Sequence, residues 1–237
     1  MTRQYQIQKI TGKPDWNKIE KAPIDQKLWL PCEQISAYAQ LAYDDSRLYV
    51  HLHAEEPTIR AENTGVLDQP CQDSCLEFFF SAAEQDARYI NIELNPSLCI
   101  YFGFGTGRED LMRILLPDGA KTLHAASERT PSGWDVTYEL PFQLLRLFFP
   151  DFAPSGTIRG NFYKCGDLTV QEHYLAWNRV DAERPDFHLP KYFGALIFLN
   201  KQAQKLKALC YAKKHGAGPF STSAVSCFWL FSVSCLE

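Results

Sequence analysis

Short runs of alternating apolar and polar residues recur along the chain, and none sustains a helical or heptad repeat. YQIQKI at 5–10 reads as a first strand, followed by a long connection through Gly12 and Pro14 to Trp29. AYAQLAY, an Asp-Asp-Ser turn and RLYVHLHAE predict a hairpin over 37–55, with Leu48, Val50 and Leu52 on one face and Tyr49, His51 and His53 on the other. A second hairpin joins CLEFFFS (75–81) to RYINIELN (88–95) through the polar loop AAEQDA. The register that keeps apolar side chains together sets Leu76, Phe78 and Phe80 beside Ile90, Ile92 and Leu94. Cys75, Glu77 and Phe79 then share the opposite face with Tyr89, Asn91 and Glu93.

Further strands are expected at 98–104, around 122–128 and at 134–140. Pro141 is placed to open a short helix, PFQLLRLFF, that caps the open end of the fold. TIRGNFYKCG (157–166) and YFGALIFL (192–199) predict two more strands, the second a closing central one. Between them lies a stretch dense in aromatics, prolines and histidines, with the character of an irregular ligand-facing loop. The pattern as a whole predicts an all-β fold, an antiparallel β-sandwich with one short helix. After Asn200 the composition changes to five lysines with one acidic residue and then an apolar Ser/Cys-rich end. The expected organisation is therefore a domain at 1–199 and an appended tail at 200–237. Within the tail, 201–214 reads as a short exposed helix and 227–233 as too short to span a membrane.

Composition narrows the classes. A chain of 237 residues with 46% hydrophobic, 14% aromatic and 22% charged residues has the material for one large β domain and is not disordered over most of its length. A net charge of −4 without a basic stripe argues against a nucleic-acid partner, and none is expected. No run approaches the roughly 20 apolar residues of a membrane span, and MTRQYQIQKITGKPDW lacks the apolar core of a signal peptide, so a cytoplasmic location without a membrane partner is expected. The eight cysteines, Cys32, Cys71, Cys75, Cys99, Cys165, Cys210, Cys227 and Cys235, are expected as free and mostly buried thiols in a reducing compartment. Cys71 and Cys75 lie four apart with no matching second pair, which speaks against a structural zinc site.

Candidate chemistry concentrates on the second hairpin. Glu77, Glu93, Asn91 and Tyr89 put two carboxylates, an amide and a phenol on one sheet face, which makes either a polar binding surface or an ordinary solvated exterior. Gly103, Gly105 and Gly107 precede Arg108, but the Lys-Ser/Thr of a phosphate loop is missing. They read as a bulged strand end, or as small residues that let Arg108 reach a ligand.

DSCLEFFFS (73–81), YINIELNP (89–96), GFGTGR (103–108), Trp-Asp before a strand and proline, NFYKCGD (161–167), and AWNRV followed by PDFHLPKYFG resemble, in order and spacing over about residues 15–199, the carbohydrate-binding module family 9-like proteins. The resemblance implies a β-sandwich of the DOMON-like type (immunoglobulin- or jelly-roll-like). It also implies non-catalytic binding of a mono- or oligosaccharide, often beside glycoside hydrolases in carbohydrate catabolism. Relatives hold a pyranose between two tryptophans. Trp177 resembles one of them; the second is expected just before Asp73, where Gln69-Pro70-Cys71-Gln72 carries no aromatic, leaving Tyr89, Tyr174 or Phe187 to form the other wall. Glu77 and Arg108 resemble the polar pair that bonds sugar hydroxyls, and their alternative reading is a salt bridge across the sheet. Asn161 and Lys164 would add donors, although alternation sends them to opposite faces, so that at most one of the two reaches the ligand. His188, bracketed by Pro185 and Pro190, reads as a hydrogen-bonded structural histidine. The resemblance also implies calcium as a structural ion, with Asp73 and Asp167 as its oxygen candidates and no EF-hand-like run.

Two other classes stand beside this one. A glycan-active hydrolase would use Glu77 with Glu93, or Cys165 with His173 as a thiol nucleophile. A haem-binding DOMON-like electron carrier would pair Met112 with His51, His53 or His124. The residues leave the oligomeric state open.

Overall fold

The computed structural model of the chain describes residues 2–82 and 86–200. The expected tail helix and its apolar end lie outside the described residues, as do Cys210, Cys227 and Cys235. The alternating runs become strands: β1 (Gln4–Lys9), β2 (Ala22–Ile24), β3 (Gln26–Lys27), β4 (Ser36–Tyr43), β5 (Arg47–Glu55), β6 (Cys75–Ser81) and β7 (Tyr89–Leu94). They continue with β8 (Ile100–Gly105), β9 (Met112–Arg113), β10 (Ala126–Arg129), β11 (Gly133–Pro141), β12 (Thr157–Gly166), β13 (His173–Ala176) and β14 (Gly194–Leu199).

These strands form one curled sheet in the order β10-β11-β5-β4-β1-β14-β12-β6-β7-β8-β9, with β2 on β4 and β13 bridging β12 and β3. The fold is all-β, but the expectation of a purely antiparallel sheet is corrected: β1 runs parallel to both β4 and β14. The other pairings of the described sheet are antiparallel. A period of two reports which face a side chain takes, not the direction of the neighbouring strand, so the entry of the N-terminal strand between β4 and β14 left no mark in the pattern. Two local readings also shift. The strand expected at 122–128 splits into a single helical turn, α1 (Gly119–Thr122), and the edge strand β10. The capping helix, α2, runs Phe142–Phe148, with Pro141 as the last residue of β11 rather than the first of the helix.

The curl brings the faces of its two halves together. Leu48, Val50 and Leu52 of β5 and Leu76, Phe78 and Phe80 of β6 belong to one buried core. Pairing of Leu76 with Leu94, Phe78 with Ile92 and Phe80 with Ile90 is the register that apolar matching predicts. The opposite face of β12, β6 and β7 is also covered, by the chain from 177 to 193 and by Leu28 and Trp29, giving a second, smaller core of Cys75, Phe79, Tyr89, Tyr163, Cys165 and Phe187 among others. A sheet face buried on both sides must satisfy or isolate every polar group it carries. That requirement locates the site.

Candidate functional site

The covering chain is tied down where β13 ends. Asn161 of β12 donates through Nδ2 to the carbonyl of Asn178 (2.7 Å) and accepts from its amide through Oδ1 (2.8 Å), imitating a strand pairing with a side chain. Asn178 in turn donates to the Tyr192 carbonyl at 2.7 Å and accepts the Arg3 amide at 2.8 Å. Farther along, Phe187 stacks on Tyr163 with centroids 4.1 Å apart, and the Tyr89 hydroxyl lies 2.8 Å from His188 Nδ1. Burial, helped by the Arg108 cation, lowers the His188 pKa to about 4, so the ring is neutral and shares a hydrogen bond with the phenol, its direction set by the imidazole tautomer. The structural reading of His188 therefore agrees with its surroundings.

Where the covering chain and the sheet do not meet, a cleft of about 200 Å³ opens. Trp29, Tyr174 and Phe187 form its aromatic side; Glu77, Glu93, Cys71, Cys165 and Asp167 form its polar floor; Arg108, Asp186 and His188 stand on its rim. Trp29 meets Tyr174 edge-on at 5.5 Å and Phe187 at 5.7 Å, and its indole donates to the Ala182 carbonyl at 2.7 Å. Its φ of 57° is left-handed, an uncommon conformation for an aromatic residue, held there by the packing of its ring and the indole bond.

The floor is electrostatically unusual. Glu77 and Glu93 are direct cross-strand partners on β6 and β7, both buried. Burial, followed by the neighbouring Glu93 charge, holds the Glu77 carboxyl well above the usual carboxylate range. Burial raises Glu93 to about 7 against the hydrogen bond from Asn91 Nδ2, which sits 2.8 Å from its Oε1. Cys165 donates its thiol proton to Glu77 Oε1 at 2.9 Å. Asp167 is raised as well, again chiefly by burial. Asn91 reaches Glu93 because residue 103 is glycine: a Cβ there would stand 1.9 Å from Asn91 Oδ1.

Of the residues expected from sequence, the structure brings Glu77, Glu93 and Arg108 to one cleft and places Asn91 and Tyr89 just behind it. The expected stacking platform is corrected. Trp177 is 2% exposed, packs on Phe162 at 5.6 Å inside the main core, and lies so close to Gly194 that a Cβ there would fall 2.4 Å from its ring. Trp177 stands on β12's core side, where the AWNRV pattern carries no mark of facing. The aromatic wall is instead Trp29, which sequence reading passed over as part of a connection, with Tyr174 and Phe187. Arg108 does not bridge to Glu77; it bonds Asp186 through Nε (3.2 Å) and Nη2 (3.0 Å), with its side chain 57% exposed.

Asn161 and Lys164 do face opposite sides, but neither reaches the cleft: Asn161 serves the Asn178 anchor, and Lys164 is fully buried toward the main core. There Lys164 Nζ pairs with Glu56 at 3.3 Å and donates to the Cys165 carbonyl (3.0 Å) and to His173 Nε2 (2.7 Å). Glu56 also accepts from Trp134 Nε1 at 2.7 Å and Ser74 Oγ at 3.0 Å. Cys165 and His173 consequently look away from one another, which removes the thiol-nucleophile pairing. For a haem, Met112 is 58% exposed, His51 and His53 share Asp135 (2.6 and 3.0 Å), and His124 bonds Glu139 at 2.7 Å, so these ligands do not converge. For calcium, Asp73 faces donors rather than oxygens: the Asn63 amide at 2.8 Å, Asn95 Nδ2 at 2.7 Å and the Arg60 guanidinium at 3.1 Å. Asp73 does not fit a calcium shell. Asp167 belongs to the cleft floor.

The sequence model of carbohydrate-binding family 9 matches residues 10–198. The chain belongs to carbohydrate-binding family 9. Its function is carbohydrate binding. Among solved structures, this family 9 chain is similar to a proposed carbohydrate-binding protein from Bacteroides uniformis ATCC 8492, at 26% identity and a TM-score of 0.70, with 84% of this chain and 100% of that one covered. It also shares its fold with a family 9 module from Caldicellulosiruptor kristjanssonii in complex with cellotriose, at 13% identity and a TM-score of 0.60 over 85% of this chain and 97% of the other. A glucose complex of a module from the same organism gives 14% identity and a TM-score of 0.60, covering 84% and 97%. A comparison with curated proteins gave no match.

Proposed function

We propose that the cleft beside Trp29 is the saccharide site and that it takes one sugar ring, as a free hexose or the end of a gluco-oligosaccharide. The observation that carries this reading is an aromatic wall of Trp29, Tyr174 and Phe187 set against a floor of paired carboxyls, Glu77 and Glu93. The axial C–H face of a pyranose is apolar and packs on an aromatic ring, while its hydroxyls each offer a donor and two acceptor sites. Carboxyls whose proton affinity is raised can donate to a hydroxyl as well as accept from one. Arg108, held in place by Asp186, adds donors at the rim. Solved relatives of the same fold in complex with glucose and cellotriose support the choice of sugar class.

Recognition without bond cleavage fits the same geometry. Glu77 and Glu93 stand side by side on adjacent strands of one wall, whereas glycosidases place two carboxyls on opposite sides of the scissile bond. Calorimetric titration with glucose and cello-oligosaccharides tests the assignment. Trp29→Ala is expected to lose about 2 kcal/mol of binding, roughly 30-fold in affinity, as removal of a buried aromatic anchor does. Unchanged affinity in a folded Trp29→Ala protein would overturn it.

A further inference from the structure

We propose that Cys75, Cys165 and Glu77 form a binding site for one thiophilic divalent ion of the zinc class at the floor of the cleft. Residue spacing along the chain argues against such a site, because Cys71 and Cys75 have no second pair. The sheet supplies the partner instead. Cys75 of β6 and Cys165 of β12 are direct antiparallel neighbours, and Glu77 lies two residues beyond Cys75, on the same face. One ligand atom from each residue lies within 4.8 Å of the other two, and all three side chains are buried.

Zinc–sulfur and zinc–oxygen bonds of about 2.3 and 2.0–2.2 Å separate the ligand atoms of a tetrahedral site by roughly 3.5–3.8 Å. Cys165 Sγ and Glu77 Oε1, now 2.9 Å apart and joined by the thiol proton, would open slightly around an ion. Two thiolates with one carboxylate are a donor set that selects zinc-like ions over calcium or magnesium. As the ion enters, each thiol gives its proton to solvent, Glu77 gives up the proton that burial favours on its carboxyl, and the oxygen that accepted from Cys165 turns to the metal. Cys165 and Glu77 both line the cleft, so the fourth position faces its interior, the three-ligand arrangement of an open zinc site. The site shares Glu77 with the proposed sugar cleft, and ion and sugar would compete for that carboxylate; ion binding itself does not depend on the sugar reading.

The test is a cobalt(II) titration of the full chain under a phosphine reductant without oxygen. One equivalent is expected to produce thiolate-to-cobalt charge-transfer absorption and the visible bands of a four-coordinate ion, both displaced by zinc. Cys165→Ser removes one of the two thiolates and should weaken binding and lower the charge-transfer absorption at saturation to about half or less. Glu77→Gln keeps both sulfurs and should weaken binding at least about tenfold; if circular dichroism shows that Cys165→Ser does not fold, this variant decides. Absence of the charge-transfer absorption in the unaltered chain, or an unchanged titration in either folded variant, would overturn the proposal. Sugar titrations of the metal-free protein separate its failure from failure of the saccharide site.

Discussion

Strand β12 carries two buried polar clusters on opposite faces, one residue apart. Lys164 points into the main core, where Glu56, His173, the Cys165 carbonyl, Ser74 and Trp134 complete a network in which the buried charges are paired. Cys165 points into the cleft, where Glu77, Glu93 and Asp167 are carboxyls crowded together with a thiol for company. The first cluster has its hydrogen bonds made within the protein and its charges balanced. The second is left with crowded carboxyls of raised proton affinity aimed at a cleft, an arrangement that costs folding stability and is completed by a ligand that brings hydroxyls or positive charge. The difference separates a structural polar cluster from a binding one more clearly than burial, which is nearly complete for Lys164, Glu56 and His173 and for Glu77, Glu93 and Cys165 alike.

The same replacement on the two faces is the sharpest contrast for stability. Lys164→Met keeps the length of the side chain but leaves the Glu56 carboxylate buried without its cation. It is expected to lose about 3–5 kcal/mol, read as a fall in the urea midpoint. A loss under about 1 kcal/mol would mean that the inner network is not the ordered ion pair seen here.

A smaller effect distinguishes the faces by pH. Burial, and then the Lys164 charge, lowers His173 to about 4, below the ordinary 6.5 expected when unfolded. The unfolded chain then binds more protons between those values, and this histidine makes stability rise with pH from about 4 to 6.5. Glu93 is raised to about 7 from 4.5. Here the native state binds more protons, and this carboxyl makes stability fall as pH rises from about 4.5 to 7, each group contributing at most about 1.4 kcal/mol per pH unit. Glu93→Gln should therefore steepen the rise of the unfolding midpoint with pH, and His173→Gln should flatten it. Identical pH profiles for both variants would contradict the opposed roles.

Much of this was legible in the residues. Alternation in 75–81 and 88–95 placed Glu77, Asn91 and Glu93 on one face because period-two patterning and apolar matching fix register wherever a core exists. The facing of Trp177 was not, since a tryptophan beyond a strand end packs inward or outward according to what lies across from it, here Gly194 and Phe162. Trp29 was hidden for the opposite reason. It sits in a connection between short strands, and its place in the cleft depends on a left-handed backbone and on an indole bond to Ala182, 153 positions away in the chain. The pairing of Cys75 with Cys165 follows from strand order, which no local spacing records.

The central claim, that the cleft face is built for a ligand rather than for stability, is tested most directly by Glu77→Met, measured in one preparation for both unfolding and saccharide binding. Replacing a crowded buried carboxyl with an apolar side chain of similar length should leave the urea midpoint unchanged or raise it. The calorimetric affinity for the sugar should fall roughly 10- to 100-fold as the hydrogen bonds of an ionisable partner are lost. A protein that unfolds more easily while binding saccharide as tightly as before would contradict the account.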